Sequence, residues 1–324
     1  MKAAICTKYG SPEVLEIREV EKPAPKPNEV LVKMHAAAVT MADIMMRKGE
    51  PAYARLMLGL TKPKMPIPGT GFSGEIEAVG SEVKQLKAGD AVFGETGMGF
   101  GAYAEFVCVQ EDGLLTKLPE NMNHEQAAPV CDGVLTALNF LRNVAKTQSG
   151  QKVLINGASG SVGSAAVQLA RHLGAEVTGV CSTTNVELVK ALGAEKVIDY
   201  TKEDFTQSGQ RYDIIFDTTG KATFGRCKGI LTEKGIFMSS VLSLPLLLHM
   251  MWTSKIGSQK ARFSATGLLP VPQLRKDLEE MKGLIEAGKI RLHLDKSYPF
   301  EHIVEAHKYV DTGRKKGNVV VKFV

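Results

Sequence analysis

Residues 153–170, VLINGASGSVGSAAVQLA, constrain the fold of this chain more than any other stretch. An apolar run short enough to be a buried strand leads into three glycines spaced three apart, and small and apolar residues at helical spacing follow. Strand, glycine turn and helix in immediate succession open a βαβ unit of the kind that receives a dinucleotide pyrophosphate. In that reading Gly157 lets the chain turn, Gly160 lets backbone approach the phosphates, and Gly163 lets the helix pack on the strand. The helix N-terminus then offers free N–H groups and the positive end of its dipole. The candidate phosphate-binding residues are therefore Gly157, Ala158, Ser159, Gly160, Ser161, Val162 and Gly163. The spacing GxxGxxG is one residue wider at its first pair than the usual fingerprint, and alone it also suits a plain tight turn.

The surrounding rhythm favours the nucleotide reading. After a helical segment, EQAAPVCDGVLTALNFLRNVA, come KVLIN, SVGSAAVQLARHL, AEVTGVC, NVELVKALG, KVIDY, YDIIFDTT and GIFMSS, with a possible sixth strand at Ala261–Ala265. Short apolar strands alternating with amphipathic helices specify a doubly wound parallel sheet covered on both faces, a Rossmann α/β domain. Before Glu125 the pattern is short β-rich segments broken by Pro and Gly, which predicts a mostly-β, barrel-like module. From Pro272 two amphipathic helices and a final strand, NVVVKFV, are too few to stand alone and are expected to fold back onto that module. A chain of 324 residues suits two domains. The expected boundaries are 1–124 with 265–324 for the mostly-β domain and 125–264 for the nucleotide-binding domain.

Which dinucleotide binds is decided at the end of the second strand, where an Asp or Glu would hold the ribose 2′-OH and repel a 2′-phosphate. Cys181, Ser182, Thr183, Thr184 and Asn185 stand there. With no acid and several hydroxyl donors, NADP is the expected cofactor, and Ser182, Thr183 and Asn185 are candidate contacts. Asn185 also suits the N-cap of the helix that starts near Val186, and the two roles are compatible.

Other classes of function are poorly served. The net charge is +5, but both signs alternate along the chain, and the densest basic cluster, Arg314, Lys315 and Lys316, reads as a solvated face. No nucleic-acid partner is expected. Five scattered cysteines without a CxxC pair argue for free thiols in a reducing compartment. MKAAICTKYG reads as a strand rather than a signal peptide. The apolar run from Met238 to Trp252 contains Pro245 and His249 and falls short of the roughly 20 residues a membrane span needs. A cytoplasmic protein without a membrane span is expected. LSLPLLLHMMW lines a substrate site, buries against a second subunit, or is ordinary core; a homodimer is the expected assembly.

Across nearly its whole length the sequence resembles the medium-chain dehydrogenase/reductase superfamily, and within it the zinc-free quinone oxidoreductases related to zeta-crystallin. The likeness is carried by YGSPEVLEIREV, AAAVTMADIMMRKG, IPGTGFSGEIEAVGSEVKQLKAGDAVFG, LTALNFL, NGASGSVGSAAVQLARHLGAEV, LVKALGAEKVIDYTKEDF and GNVVVKFV, in the same order. It implies a GroES-like mostly-β catalytic domain split between the two ends of the chain, with the Rossmann domain inserted. Where zinc-dependent relatives place ligands, this chain has Thr40 and Thr70. Cys131 lies near the third position but five residues before Thr136 rather than four. One thiol cannot hold zinc, which takes about four ligands, and Cys131 reads as a small buried residue.

The same resemblance places Thr40, Asp43 and Thr136 around the nicotinamide and its ribose, and Tyr200 near the adenosine 2′-phosphate. Asp43 also reads as a local helix cap, and Tyr200 as a strand-end core residue. Thr218 and Asn318 complete the candidate cofactor contacts. Met45 stands where the family has an aromatic, and no Lys or Arg stands near Asn185. Lacking zinc and a Ser-Tyr-Lys constellation, the chain has no evident base for alcohol oxidation. Quinones and activated enones need none, because hydride adds at carbon and hydroxyl or backbone donors can stabilise the enolate. The hydroxyls of Thr40, Thr70 and Tyr53, with Asp43, are the candidate catalytic groups for an electrophilic carbonyl substrate. Two other readings stay open: an alcohol dehydrogenase or enoyl-thioester reductase of the same superfamily, and a non-enzymatic NADPH-binding protein.

Overall fold

A computed structural model describes residues 1–323. Its strands, in chain order, are β1 (Lys2–Cys6), β2 (Leu15–Glu19), β3 (Glu29–Ala38), β4 (Gly71–Val79), β5 (Ala91–Glu95), β6 (Phe106–Gln110), β7 (Leu114–Lys117), β8 (Lys152–Asn156), β9 (Glu176–Cys181), β10 (Lys196–Asp199), β11 (Tyr212–Asp217), β12 (Leu231–Ser239), β13 (Lys260–Arg262), β14 (Leu294–Pro299) and β15 (Asn318–Lys322). The chain divides into two compact units. One comprises Met1–Asp132, Pro270–Glu286 and the chain from Leu292; the other comprises Gly133–Leu269 and Ala287–Arg291.

The first unit is built on a sheet in the order β14-β15-β3-β4-β5-β7, with β6 also on β3. β3 carries the design because it is long enough to change partners along its length. Residues 29–33 pair with β6, and 36–38 pair with β15. Ala36, Ala37 and Ala38, all buried, supply the small side chains that suit this crowded exchange. The C-terminal strand β15 thus lies in the same sheet as β3. Phe72, Val92, Tyr103 and Met34 belong to the core cluster of this unit.

The second unit is a six-stranded sheet in the order β10-β9-β8-β11-β12-β13 with every neighbouring pair parallel. Numbered by chain order within the unit, this is 3-2-1-4-5-6, the doubly wound Rossmann arrangement. The central strands are apolar runs rather than alternations: Val153, Leu154, Ile155, Ile214, Ile215 and Phe216 are all buried, as strands covered on both faces must be. The sixth strand is Lys260–Arg262, at the start of the predicted segment. Sequence order reverses between β8 and β11, so the switch point lies at Asn156 and Asp217.

Two predicted elements differ. Residues 124–144 do not form one regular helix: a short turn, His124–Ala127, gives way to wider turns at Cys131–Leu135 and Asn139–Val144 around Thr136–Leu138. Pro129 has no N–H to give and crowds the carbonyl one turn back, so the regular ladder cannot run through it. The run LPLLLHMMWTSK forms the helix Leu244–Lys255 and is not ordinary core: Leu246 is buried, but Leu244, Leu247, Leu248, Met251 and Trp252 are exposed.

Candidate functional site

The glycine turn lies at the switch point of the parallel sheet. Gly157 adopts φ +83°, open to glycine at little cost, and a Cβ there would lie 2.5 Å from Thr219 and 2.6 Å from the Thr218 hydroxyl. A Cβ on Gly163 would stand 2.1 Å from the Gly157 carbonyl oxygen, so the helix Ser161–His172 can sit against the turn only with glycine there. Gly160 differs: a Cβ would meet nothing but that same oxygen, at 3.5 Å, and space lies beyond it. Gly160 is also the residue before the helix, and it has no side chain with which to cap it. A cradle of this kind, at a helix N-terminus and with room over its middle glycine, fits a pyrophosphate.

Polar side chains at the strand ends hold the turn. The Thr218 hydroxyl donates to the Asn156 carbonyl at 2.9 Å and to that of Gly157 at 3.3 Å. Asp217, fully buried and overlooked in the sequence, accepts from Asn156 Nδ2 (2.9 Å), from the Thr219 amide (3.1 Å) and hydroxyl (2.8 Å), from the Ala222 amide (3.3 Å) and from Ser239 Oγ (3.3 Å). One carboxylate thereby ties together the ends of β8, β11 and β12. Ser161 is buried and Val162 follows it in the first helical turn.

At the end of β9 the structure corrects one expectation and adds a residue to another. Asn185 does not cap the following helix; residues 183–185 form a tight 3-10 turn that directs its amide back, where Nδ2 donates to Ser159 Oγ at 3.0 Å and Ser182 Oγ at 3.2 Å. The glycine turn and the second strand are therefore linked directly. The end of β9 itself carries no acid, but one stands beside it on the next strand. Asp199, the last residue of β10, lies in register beside Cys181, the last of β9. It accepts the Thr183 hydroxyl at 2.5 Å and the Thr201 hydroxyl and amide at 2.7 and 3.0 Å. No local pattern announces this, because the acid comes from the neighbouring strand. Tyr200 is not a core residue: it is 59% exposed.

In the other unit Thr40 and Asp43 form a reciprocal cap at the start of the helix Met41–Lys48. Thr40 Oγ1 accepts from the Asp43 amide at 3.1 Å, and Asp43 Oδ2 accepts from the Thr40 amide at 2.9 Å and hydroxyl at 2.7 Å. Burial raises the Asp43 carboxyl to about 6, against the lowering effect of the Thr40 bonds. Glu95, at the end of β5, is raised to about 7, first by burial and then by the charge of Asp132, and the Thr70 hydroxyl opposes the rise. Sequence reasoning missed Glu95, since nothing local marks it. Thr70 is buried and Tyr53 is exposed on a short turn. Lys315 is no solvated residue: it is partly buried, its ammonium donates to the Gly317 carbonyl at 2.9 Å, and burial lowers its pKa. Asn318 donates to the His293 carbonyl at 3.0 Å. Cys131 is buried. Thr136, in the parallel-sheet unit, opens the short helix Thr136–Leu138. Among the described residues no group of three or more His, Cys, Asp or Glu is arranged to hold a metal ion, and no helix is long and apolar enough to cross a membrane.

A parallel sheet in this order, with a glycine cradle at its switch point and a separate mostly-β unit contributed by both ends of the chain, defines a dinucleotide-dependent oxidoreductase of two-domain type. Comparison with known proteins agrees. Residues 26–120 match the family model described as alcohol dehydrogenase GroES-like domain, and 192–321 match the one described as zinc-binding dehydrogenase. The chain is 32% identical to the 2-methylene-furan-3-one reductase of Solanum lycopersicum, over 99% of this chain and 79% of that protein. Its fold matches the quinone oxidoreductase of Coxiella burnetii (TM-score 0.89, 29% identity, 100% and 99% of the two chains). It also matches the Escherichia coli quinone oxidoreductase complexed with NADPH (TM-score 0.86, 25% identity, 99% and 100%). The chain belongs to the medium-chain dehydrogenase/reductase superfamily, among its quinone oxidoreductases.

Proposed function

We propose that this chain is an NADPH-dependent reductase of quinones and activated enones that works without zinc. The observation that carries the reading is the cradle at Gly157–Gly163, shaped by the two contacts that forbid any side chain at Gly157 and Gly163 and open over Gly160. Gly157, Ala158, Ser159, Gly160, Ser161, Val162 and Gly163 would hold the pyrophosphate. Ser182, Thr183, Asn185 and Tyr200 would hold the adenosine end, and Thr136, Thr218 and Asn318 the nicotinamide end. The bound dinucleotide supplies a hydride. The protein contributes orientation and hydroxyl donors to the oxygen on which charge develops.

Thr40, Thr70, Tyr53 and Asp43 are the proposed catalytic groups. Thr40 and Thr70 stand where zinc-dependent relatives place ligands, and a neutral hydroxyl is a poor zinc ligand beside thiolate or imidazole. The Thr40 hydroxyl donates to Asp43 and its oxygen accepts from the Asp43 amide, while the Thr70 hydroxyl bonds Glu95, so each of these two donors is already tied to an acid. Two copies are proposed to pair through the exposed apolar face of Leu244–Lys255 and the adjacent edge strand β13. Five free cysteines support the cytoplasm as the compartment.

The test is a turnover panel of quinones, enones, aldehydes and alcohols on metal-analysed protein. NADPH oxidation with quinones or enones, indifferent to chelators, is expected. Turnover confined to alcohols with NADP+, abolished by chelation, overturns the proposal; tight NADPH binding with no turnover on any acceptor would favour a binding protein.

A further inference from the structure

The hydroxyls at the end of β9 do not all face a nucleotide as donors. A hydroxyl has one proton, and that of Thr183 is given to Asp199 Oδ2 at 2.5 Å. Thr183 is exposed, and its oxygen also lies 2.9 Å from Thr201 Oγ1, so what it still offers outward is a remaining lone pair, which accepts from a ribose 2′-OH and repels a 2′-phosphate. The nearby cation is also engaged, because Lys202 Nζ lies 3.7 Å from the same carboxylate oxygen. Asp199 is buried and stays ionised at neutral pH, its pKa lowered first by the Thr183 bond and then by the Thr201 bonds against the cost of burial. An acid at the end of the second strand would select NADH outright. Here the acid stands one strand over, in register with Cys181, and acts through a threonine.

We propose that Asp199 sets cofactor preference: by taking the Thr183 proton and pairing Lys202, it holds back selection for a 2′-phosphate, so that NADH is accepted alongside NADPH. Ser182 and Thr184 remain as hydroxyls not committed to Asp199, 3.4 Å from each other. This rests on the reading of Gly157–Gly163 as the pyrophosphate cradle, which fixes the end of β9 as the adenosine side.

The experiment is isothermal titration of the intact protein with 5′-AMP and 2′,5′-ADP, which reads the adenosine end without turnover. The wild type should bind the two within severalfold of each other. Asp199→Asn should tighten 2′,5′-ADP relative to 5′-AMP on the order of tenfold, the size expected when a unit charge is removed several ångströms from a phosphate in a partly wet site. The NADPH to NADH ratio of kcat/KM should move in parallel. Adding Lys202→Gln to that variant should reverse part of the gain, because the ammonium released by the first change is then gone. Thr183→Val, which leaves Asp199 its Thr201 bonds and guards against a misfolded Asp199 variant, should weaken 5′-AMP more than 2′,5′-ADP. If Asp199→Asn and Thr183→Val both bind 5′-AMP with the wild-type ratio unchanged, the role of Asp199 is refuted and the cradle stands. If neither nucleotide binds the wild type, the cradle reading falls and the proposal with it.

Discussion

In the parallel-sheet unit Asn156, Asp217 and Ser239 stand at strand ends and bond one another, whereas in the other unit Asp43, Arg47, Tyr103 and His307 lie in the interior beside long apolar side chains. The first arrangement puts polar groups where a ligand can use them, and Asp217 alone collects five donors. The second keeps ionisable groups away from water with partners too few for their capacity. His307 has no hydrogen bond at either ring nitrogen, and Arg47 Nε and Asp43 Oδ1 have none either. Arg47 is held by the Gly10 carbonyl and by Asp311 at 3.1 Å, and the Tyr103 hydroxyl by the Ala38 carbonyl at 3.1 Å. The strand-end edge of the parallel sheet is thus polar by construction, while the mostly-β unit bears the cost of charged groups inside its core.

The largest effect that would break this contrast lies at the cradle. Gly163→Val puts a branched side chain where even a Cβ stands 2.1 Å from a backbone oxygen. NADPH affinity, read by its fluorescence on binding, should fall roughly a thousandfold, about 4 kcal/mol. Gly160→Ala is the sharpening partner: it should leave thermal unfolding where it was yet weaken NADPH, since its methyl enters only the space over the turn. Equal affinity for the wild type and Gly163→Val would mean that the helix can shift away from the turn at no cost, and the cradle would no longer explain binding.

These two regions were also unequally legible in the sequence. The cradle could be read because its signals are local: Gly157, Gly160, Gly163 and the strand and helix around them fall within eighteen residues, and each obeys a short-range rule. The apolar runs of β8 and β11 likewise announce a sheet covered on both faces. What escaped is what arrives from elsewhere in the chain. Asp199 reaches Thr183 from the next strand, Asp217 gathers groups from three strands, and Glu95 is perturbed by Asp132 across the fold. Arg47 meets its partner Asp311 from the far end of the chain. Lys315 looks like one of three solvated cations until the loop seats it against Gly317. Asn185 was legible as a polar residue facing the nucleotide side, but its bond to Ser159 depends on a 3-10 turn that propensity does not specify.

The interior of the mostly-β unit should reveal itself in acid. Burial, helped by the Arg47 charge and opposed by Asp311, lowers His307 to about 3, and the Tyr103 ring meets it edge-on at 5.5 Å between centroids. The unfolded chain takes up this proton near its ordinary value of about 6.5. Between there and 3 the unfolded state therefore binds more protons than the folded one, and stability is lost as pH falls through that window. Urea unfolding at pH 7 and pH 4 should show the wild type losing on the order of 3 kcal/mol more than His307→Leu. Parallel losses in the two proteins would show that His307 is solvated or protonated in the fold, and the contrast between the units would weaken.

The smallest effect tests the one oxygen of Asp43, Oδ2, that does have partners. Thr40→Ala removes both the oxygen that caps the helix and the hydroxyl that donates to Asp43, leaving the acid only the Thr40 amide. Loss of the cap alone costs about 1 kcal/mol. The remainder depends on charge, because a hydrogen bond to an ionised carboxylate is worth more than one to a neutral carboxyl. Asp43 has a folded pKa raised to about 6 from an ordinary carboxylate value, so here the folded state holds the extra proton and stability falls as pH rises through that range, the reverse of His307. The Thr40→Ala penalty should accordingly be larger at pH 7.5, where the carboxylate is charged and has lost its best donor, than at pH 5, where it is mostly protonated. Urea unfolding at the two pH values measures it directly. A penalty independent of pH would separate the cap from the acid and leave Thr40 as a helix-starting residue alone; a penalty that grows with pH would make the Thr40 hydroxyl the group that keeps this buried charge tolerable.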